Sequence, residues 1–84
     1  MSKIYRVGSI ANDAGQPAWL DPVRHQNFAS AEYGARSATT QDHKARGIWE
    51  TDANGDTSVL AAEVRTDAYD RVWTDLTSQS AMLF

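Results

Sequence analysis

Residues 47–64, GIWETDANGDTSVLAAEV, constrain the fold more than any other stretch. Asn54-Gly55 lies between two runs that can pair, and this dipeptide suits the two-residue turn whose central positions both need positive φ. With Asn54-Gly55 as the turn, Asp52 faces Thr57, Glu50 faces Val59 and Trp49 faces Leu60. Opposed side chains share a face, so Trp49, Leu60, Ala62 and Val64 line one side of the hairpin. Ile48, Glu50, Val59 and Glu63 line the other. One side is apolar and the other mixed, the pattern of a hairpin packed on one face only.

The rest of the chain is read around that hairpin. Residues 3–10, KIYRVGSI, place β-branched and aromatic residues at Ile4, Tyr5, Val7 and Ile10 and predict a strand. Asn12-Asp13-Ala14-Gly15-Gln16-Pro17 is a turn cluster. Ala18-Trp19-Leu20 is a short second strand, kept from the middle of a sheet by Pro17 and Pro22. Residues 22–29 are expected as loop. A helix is predicted from Ser30 as N-cap, with Glu32 in its first turn, Lys44 and Arg46 in its last and Gly47 just beyond. Ala31, Ala35, Ala38 and Ala45 give it a narrow stripe of small residues for close packing. Gly34 costs such a helix about 1 kcal/mol relative to alanine.

A second helix is predicted over 67–78, capped by Thr66 or Asp67, with Ala68, Tyr69, Val72, Trp73 and Leu76 as its apolar face. Trp49 and Trp73 are expected in the core and Trp19, beside a loop, at the surface. At 84 residues the chain makes one domain. The expected class is α+β: a small antiparallel sheet of three to four strands, the N-terminal strand plus the 47–64 hairpin. An Ala-rich helix packs on it and a C-terminal helix follows. Met82-Leu83-Phe84 are apolar, and should fold onto the core or reach a second copy in a homodimer.

Cysteine is absent, which excludes disulfides and thiolate metal sites. No window approaches the ~18 apolar residues of a spanning helix, and the N-terminus lacks the basic and apolar blocks of a signal peptide. A cytoplasmic protein is expected. Residues 1–48 carry six Lys/Arg against four acids, net +2; residues 49–84 carry two against seven, net −5. An acidic half argues against nucleic-acid binding, which draws its affinity from phosphate neutralisation. It offers a surface to a protein partner with a basic face.

Asp52, Asn54, Asp56 and Glu63 fall at positions 1, 3, 5 and 12 of a loop that resembles an EF-hand calcium loop, with Val59 at its apolar eighth position. Thr57 occupies the sixth, where the sharp turn wants glycine, and Gly47-Ile48-Trp49-Glu50-Thr51 is a poor entering helix. The hairpin is the preferred reading and no metal or other cofactor is expected. His25 and His43 are the only histidines and show no convergent spacing. Asp21, His25 and Ser30 contain the residue types of a nucleophile triad, with no nucleophile elbow to orient them. The chain is therefore expected not to be an enzyme. The expected partner-binding residues are Asp56, Glu63, Asp67, Asp70, Asp75 and Trp19.

Phe28-Ala29-Ser30-Ala31-Glu32, Ala35 and Ala38, then Gly47-Ile48-Trp49-Glu50 and Val59-Leu60, set out a strand, long loop, Ala-rich helix and Asn-Gly hairpin. Over residues 28–64 this layout resembles small phage-encoded proteins, including several anti-CRISPR inhibitors. The resemblance implies stoichiometric inhibition of a host defence complex by surface binding, sometimes as a homodimer, and carries no catalytic residues. A small structural subunit of a larger assembly is the remaining expectation.

Overall fold

The computed structural model describes residues 3–52 and 58–76. Five elements follow in order: β1 (Ile4–Gly8), α1 (Phe28–Asp42), β2 (Arg46–Thr51), β3 (Ser58–Thr66) and β4 (Val72–Leu76). The strands form one antiparallel sheet in the order β1-β2-β3-β4, and α1 packs across one face. This is the α+β architecture expected from the hairpin, at its four-stranded limit.

The hairpin register is as expected near the turn: Thr51 pairs with Ser58, Glu50 with Val59 and Trp49 with Leu60. Residues 53–57, with Asn54-Gly55, lie outside the described residues. Beyond Trp49 the register shifts, so Ile48 pairs with Ala62 and Gly47 with Glu63. Ala61 is the extra residue of a β-bulge, and a one-residue slip moves side chains to the opposite face. The expected grouping of Trp49 with Ala62 and Val64 is thereby corrected. Ile48, Ala62 and Val64 meet Val7, Ala31 and Ala35 under the helix, with Tyr5, Phe28 and Val72 around them. Tyr5 and Phe28 meet edge to face, ring centres 6.0 Å apart.

Trp49 is fully buried on the other face. Its indole Nε1 donates to the Ser9 carbonyl oxygen at 2.8 Å. Gly8 and Gly47 pair directly beneath it, and an added Cβ would meet Trp49 atoms at 3.2 Å from Gly8 and 2.8 Å from Gly47. Leu20 and Leu60 reach the same two glycines, so a second, smaller apolar cluster sits there. The segment after Ser9 returns along the outer edge of β1 through bridges Gly8–Leu20 and Tyr5–His25. Trp19-Leu20 therefore runs strand-like without forming the expected second strand, and it shields an edge that would otherwise invite pairing.

α1 starts earlier and stops earlier than expected. Asn27 is the N-cap, its Oδ1 accepting from the Ser30 N–H at 2.8 Å, which displaces Ser30 from that role. His43 ends the helix in the left-handed region at φ 60°, its N–H donating to Thr39 O at 2.7 Å. Lys44 and Ala45 fall in the connection, while Arg46 and Gly47 belong to β2. The buried stripe is Ala31, Ala35 and Thr39 at four-residue spacing. Thr39 tolerates burial because its hydroxyl donates to Lys44 O at 2.9 Å.

The helix expected over 67–78 is replaced, in its described part, by a turn and β4. The Asp67 carboxylate accepts from the N–H groups of Tyr69 at 2.8 Å and Arg71 at 3.0 Å. An aspartate that can cap a helix can equally close a turn on its own backbone, and here the open edge of β3 rewards the turn. Asp70 completes it at φ 61°. Val72, Thr74 and Leu76 then face the helix side while Trp73 and Asp75 take the opposite face. Trp73, expected in the core, is 41% exposed as a result.

Candidate functional site: an acidic and aromatic strip on the open sheet face

The helix leaves one face of the β3–β4 hairpin uncovered by any described element. Along it, Glu63 lies directly opposite Asp75, and Arg65 opposite Trp73. Glu63 and Arg65 are two residues apart on one strand and share a face, so Arg65 Nε and Nη2 both reach Glu63 Oε1, at 2.9 and 2.7 Å. That pair spreads the Glu63 charge, leaving exposed Asp75 as the carboxylate of the strip without an ion pair among the described residues. Trp73 supplies a half-exposed indole beside it.

The turn carries the other two acids. Asp67 is committed to structure: besides its two backbone donors it takes Arg71 Nε at 3.2 Å. The Arg71 and Tyr69 N–H groups, then the Arg71 guanidinium, hold its carboxyl below the usual carboxylate range. Arg71 also lies over the Tyr69 ring, 5.2 Å from its centre. Asp70 projects at the surface with His43 Nδ1 at 3.7 Å.

Of the residues expected to bind a partner, Glu63, Asp67, Asp70 and Asp75 are thus gathered on one hairpin, with Asp67 turned to the backbone rather than outward. Asp56 lies outside the described residues. Trp19 is exposed as expected but sits beyond β1, at the opposite edge of the sheet. Trp73, expected in the core, and Arg65 join the strip. The β-branched and aromatic run Val72-Trp73-Thr74 was the one local signal for a strand there, outweighed by the helical spacing of Val72, Trp73 and Leu76.

The calcium reading fails on geometry. Strands rather than helices flank residues 53–57. Glu63 pairs with Gly47, five residues from Asp52, so the first and twelfth ligands stand roughly 16 Å apart along the hairpin. Asn54 and Asp56 lie outside the described residues, and among the described residues no three His, Cys, Asp or Glu side chains converge. Of the triad types, Ser30 Oγ and His25 Nδ1 do meet, at 2.9 Å. Asp21 instead accepts from the Val23 N–H at 3.0 Å. Across the molecule, Asp42 grips the Arg46 guanidinium through both oxygens, at 2.7 and 2.6 Å, and its carboxyl is held far below the usual range.

Fold and surface together define a small α+β domain with a charged, aromatic sheet face left open. No protein-family model matches the chain, and no curated protein or solved structure matches it.

Proposed function

We propose that this chain is a non-enzymatic protein-binding module that docks on the basic surface of a protein partner. The observation that carries the reading is the uncovered β3–β4 face, where exposed Trp73 stands beside the carboxylates of Glu63 and Asp75. Tryptophan is among the residue types most enriched at binding hot spots, and the surrounding charge would steer encounter more than it adds affinity. With the phage-inhibitor layout of residues 28–64, the reading becomes inhibition of a host defence complex of the anti-CRISPR class, in the host cytoplasm.

The test follows from the turn geometry. Asp67 cannot be reversed without undoing the turn, so the informative variants are Asp70→Asn, which keeps a residue tolerant of positive φ, and Asp75→Lys. With a captured partner in hand, both should slow association and flatten its salt dependence across ~50–300 mM, with the fold intact. Trp73→Ala should raise the off-rate by more than about tenfold if it is an anchor. Unchanged kinetics in all three variants would refute docking through this face.

A further inference from the structure

A recess lies away from that strip, between α1 and the segment that shields β1. It encloses about 310 Å3, with Trp19, Asp21, Val23, His25, Gly34 and Arg46 among its lining residues. That volume is at the small end of ligand sites, so it suits one side chain rather than a cofactor. Trp19 and Val23 form an open apolar wall, 49% and 54% exposed.

The polar groups decide what could enter. Arg46 is already matched: its two terminal nitrogens sit on the two oxygens of Asp42, and Nη1 also reaches Thr39 Oγ1 at 3.4 Å. His25 is occupied at Nδ1 by Ser30 Oγ. Asp21 differs. Its carboxylate accepts one N–H, from Val23, and has no ion pair among the described residues. The neighbouring Arg6 donates through Nε to the main-chain carbonyl of Asp21, at 2.8 Å, instead. The lining thus holds, two residues apart, the exposed Trp19 and an Asp21 carboxylate without an ion pair among the described residues.

We propose that this recess receives an arginine side chain from a basic protein partner. The guanidinium would pair with the Asp21 carboxylate and lie against the Trp19 ring. Arginine is favoured over lysine because its planar, weakly hydrated head can stack on an aromatic face and bond a carboxylate at once. The assignment rests on the protein-binding reading, but it has its own test because the recess and the β3–β4 strip are at opposite edges of the sheet.

The intact chain, labelled with 15N, is titrated with the capped tripeptides acetyl-Gly-Arg-Gly-amide, its Lys counterpart and its Glu counterpart. The arginine peptide should shift the Trp19 indole N–H and the His25 and Gly34 amides saturably, with the lysine peptide weaker and the glutamate peptide inert. Asp21→Asn keeps the acceptor for Val23 N–H and should weaken arginine binding about three- to fivefold, as for an exposed ion pair. Trp19→Ala should weaken it further. No saturable shifts into tens of millimolar, equal response to the glutamate peptide, or undiminished binding by Asp21→Asn would each overturn the proposal. Equal binding of the lysine peptide would overturn the choice of arginine. None of these results depends on Asp70, Trp73 or Asp75, so either proposal can fail alone.

Discussion

A methyl group added at Gly8 would stand 2.5 Å from the Trp19 carbonyl oxygen and 2.8 Å from Leu20 Cδ2, whereas one added at Gly34 meets nothing closer than the His25 ring at 3.8 Å. Backbone cannot step aside as a flexible side chain can. Gly8→Ala should therefore destabilise by about 1–3 kcal/mol, while Gly34→Ala should stabilise by as much as ~1 kcal/mol through helix propensity. Urea denaturation of the two variants gives both signs in one experiment. The depressed carboxyls of Asp42 and Asp67 make the fold sensitive to acid. Each binds its proton more weakly folded than unfolded, so its contribution is complete above the unfolded pKa and is lost as pH falls towards the folded one. The melting temperature should hold from neutral pH to about 5 and drop below about 4. Asp67→Asn, which keeps the turn acceptor, should make that drop shallower.

β4 is the element whose identity tertiary contacts settled. Its apolar spacing, Val72 and Trp73 with Leu76, fits a helix, while the β-branched and aromatic residues Val72, Trp73 and Thr74 suit a strand. The edge of β3 supplies hydrogen bonds to the strand only. Arg36 then fastens the new strand to the helix, Nη1 donating to Thr74 Oγ1 and Nη2 to Val72 O, both at 3.0 Å. Arg36→Ala should loosen β4 selectively. Amide exchange in Val72–Leu76 should accelerate while β1 and β2 stay protected, and global stability should fall by about 1–2 kcal/mol. Uniform acceleration across all four strands would mean that β4 opens only with the whole sheet. The helix ends follow the same logic. Ser30 is a good cap by type, but Asn27 is equally good and sits where the chain leaves the β1 edge, so the chain path chose between them.

Across the molecule, residues 49–84, net −5, supply β3 and β4, while the more basic first half supplies β1 and α1. The charge imbalance along the chain becomes an imbalance across the sheet, which is what gives the strip its sign. No helix among the described residues is long and apolar enough to cross a membrane. The C-terminal residues Ser80–Phe84 lie outside the described residues, and their expectation stands on composition alone. Removing residues 80–84 should lower the melting temperature if they pack on the core, or move the elution volume towards monomer if they join two copies. If neither changes, the tail supports neither core nor dimer.

Local chemistry in the chain was enough to place the hairpin strands, their register next to the turn, the N-terminal strand, the alanine-faced helix and the exposure of Trp19. Those features depend on neighbours a few residues away, on alternation, capping types and a dipeptide suited to a tight turn. The bulge at Ala61, the burial of Trp49 over Gly8 and Gly47, and the exposure of Trp73 depend on partners tens of residues distant. A single inserted residue reverses which face a strand shows, and no local pattern reports it. The candidate strip was legible as an excess of acid but not as a surface. Only the pairing of β3 with β4 puts Glu63 across from Asp75, sets Trp73 between solvent and sheet, and turns Asp67 inward to hold the turn.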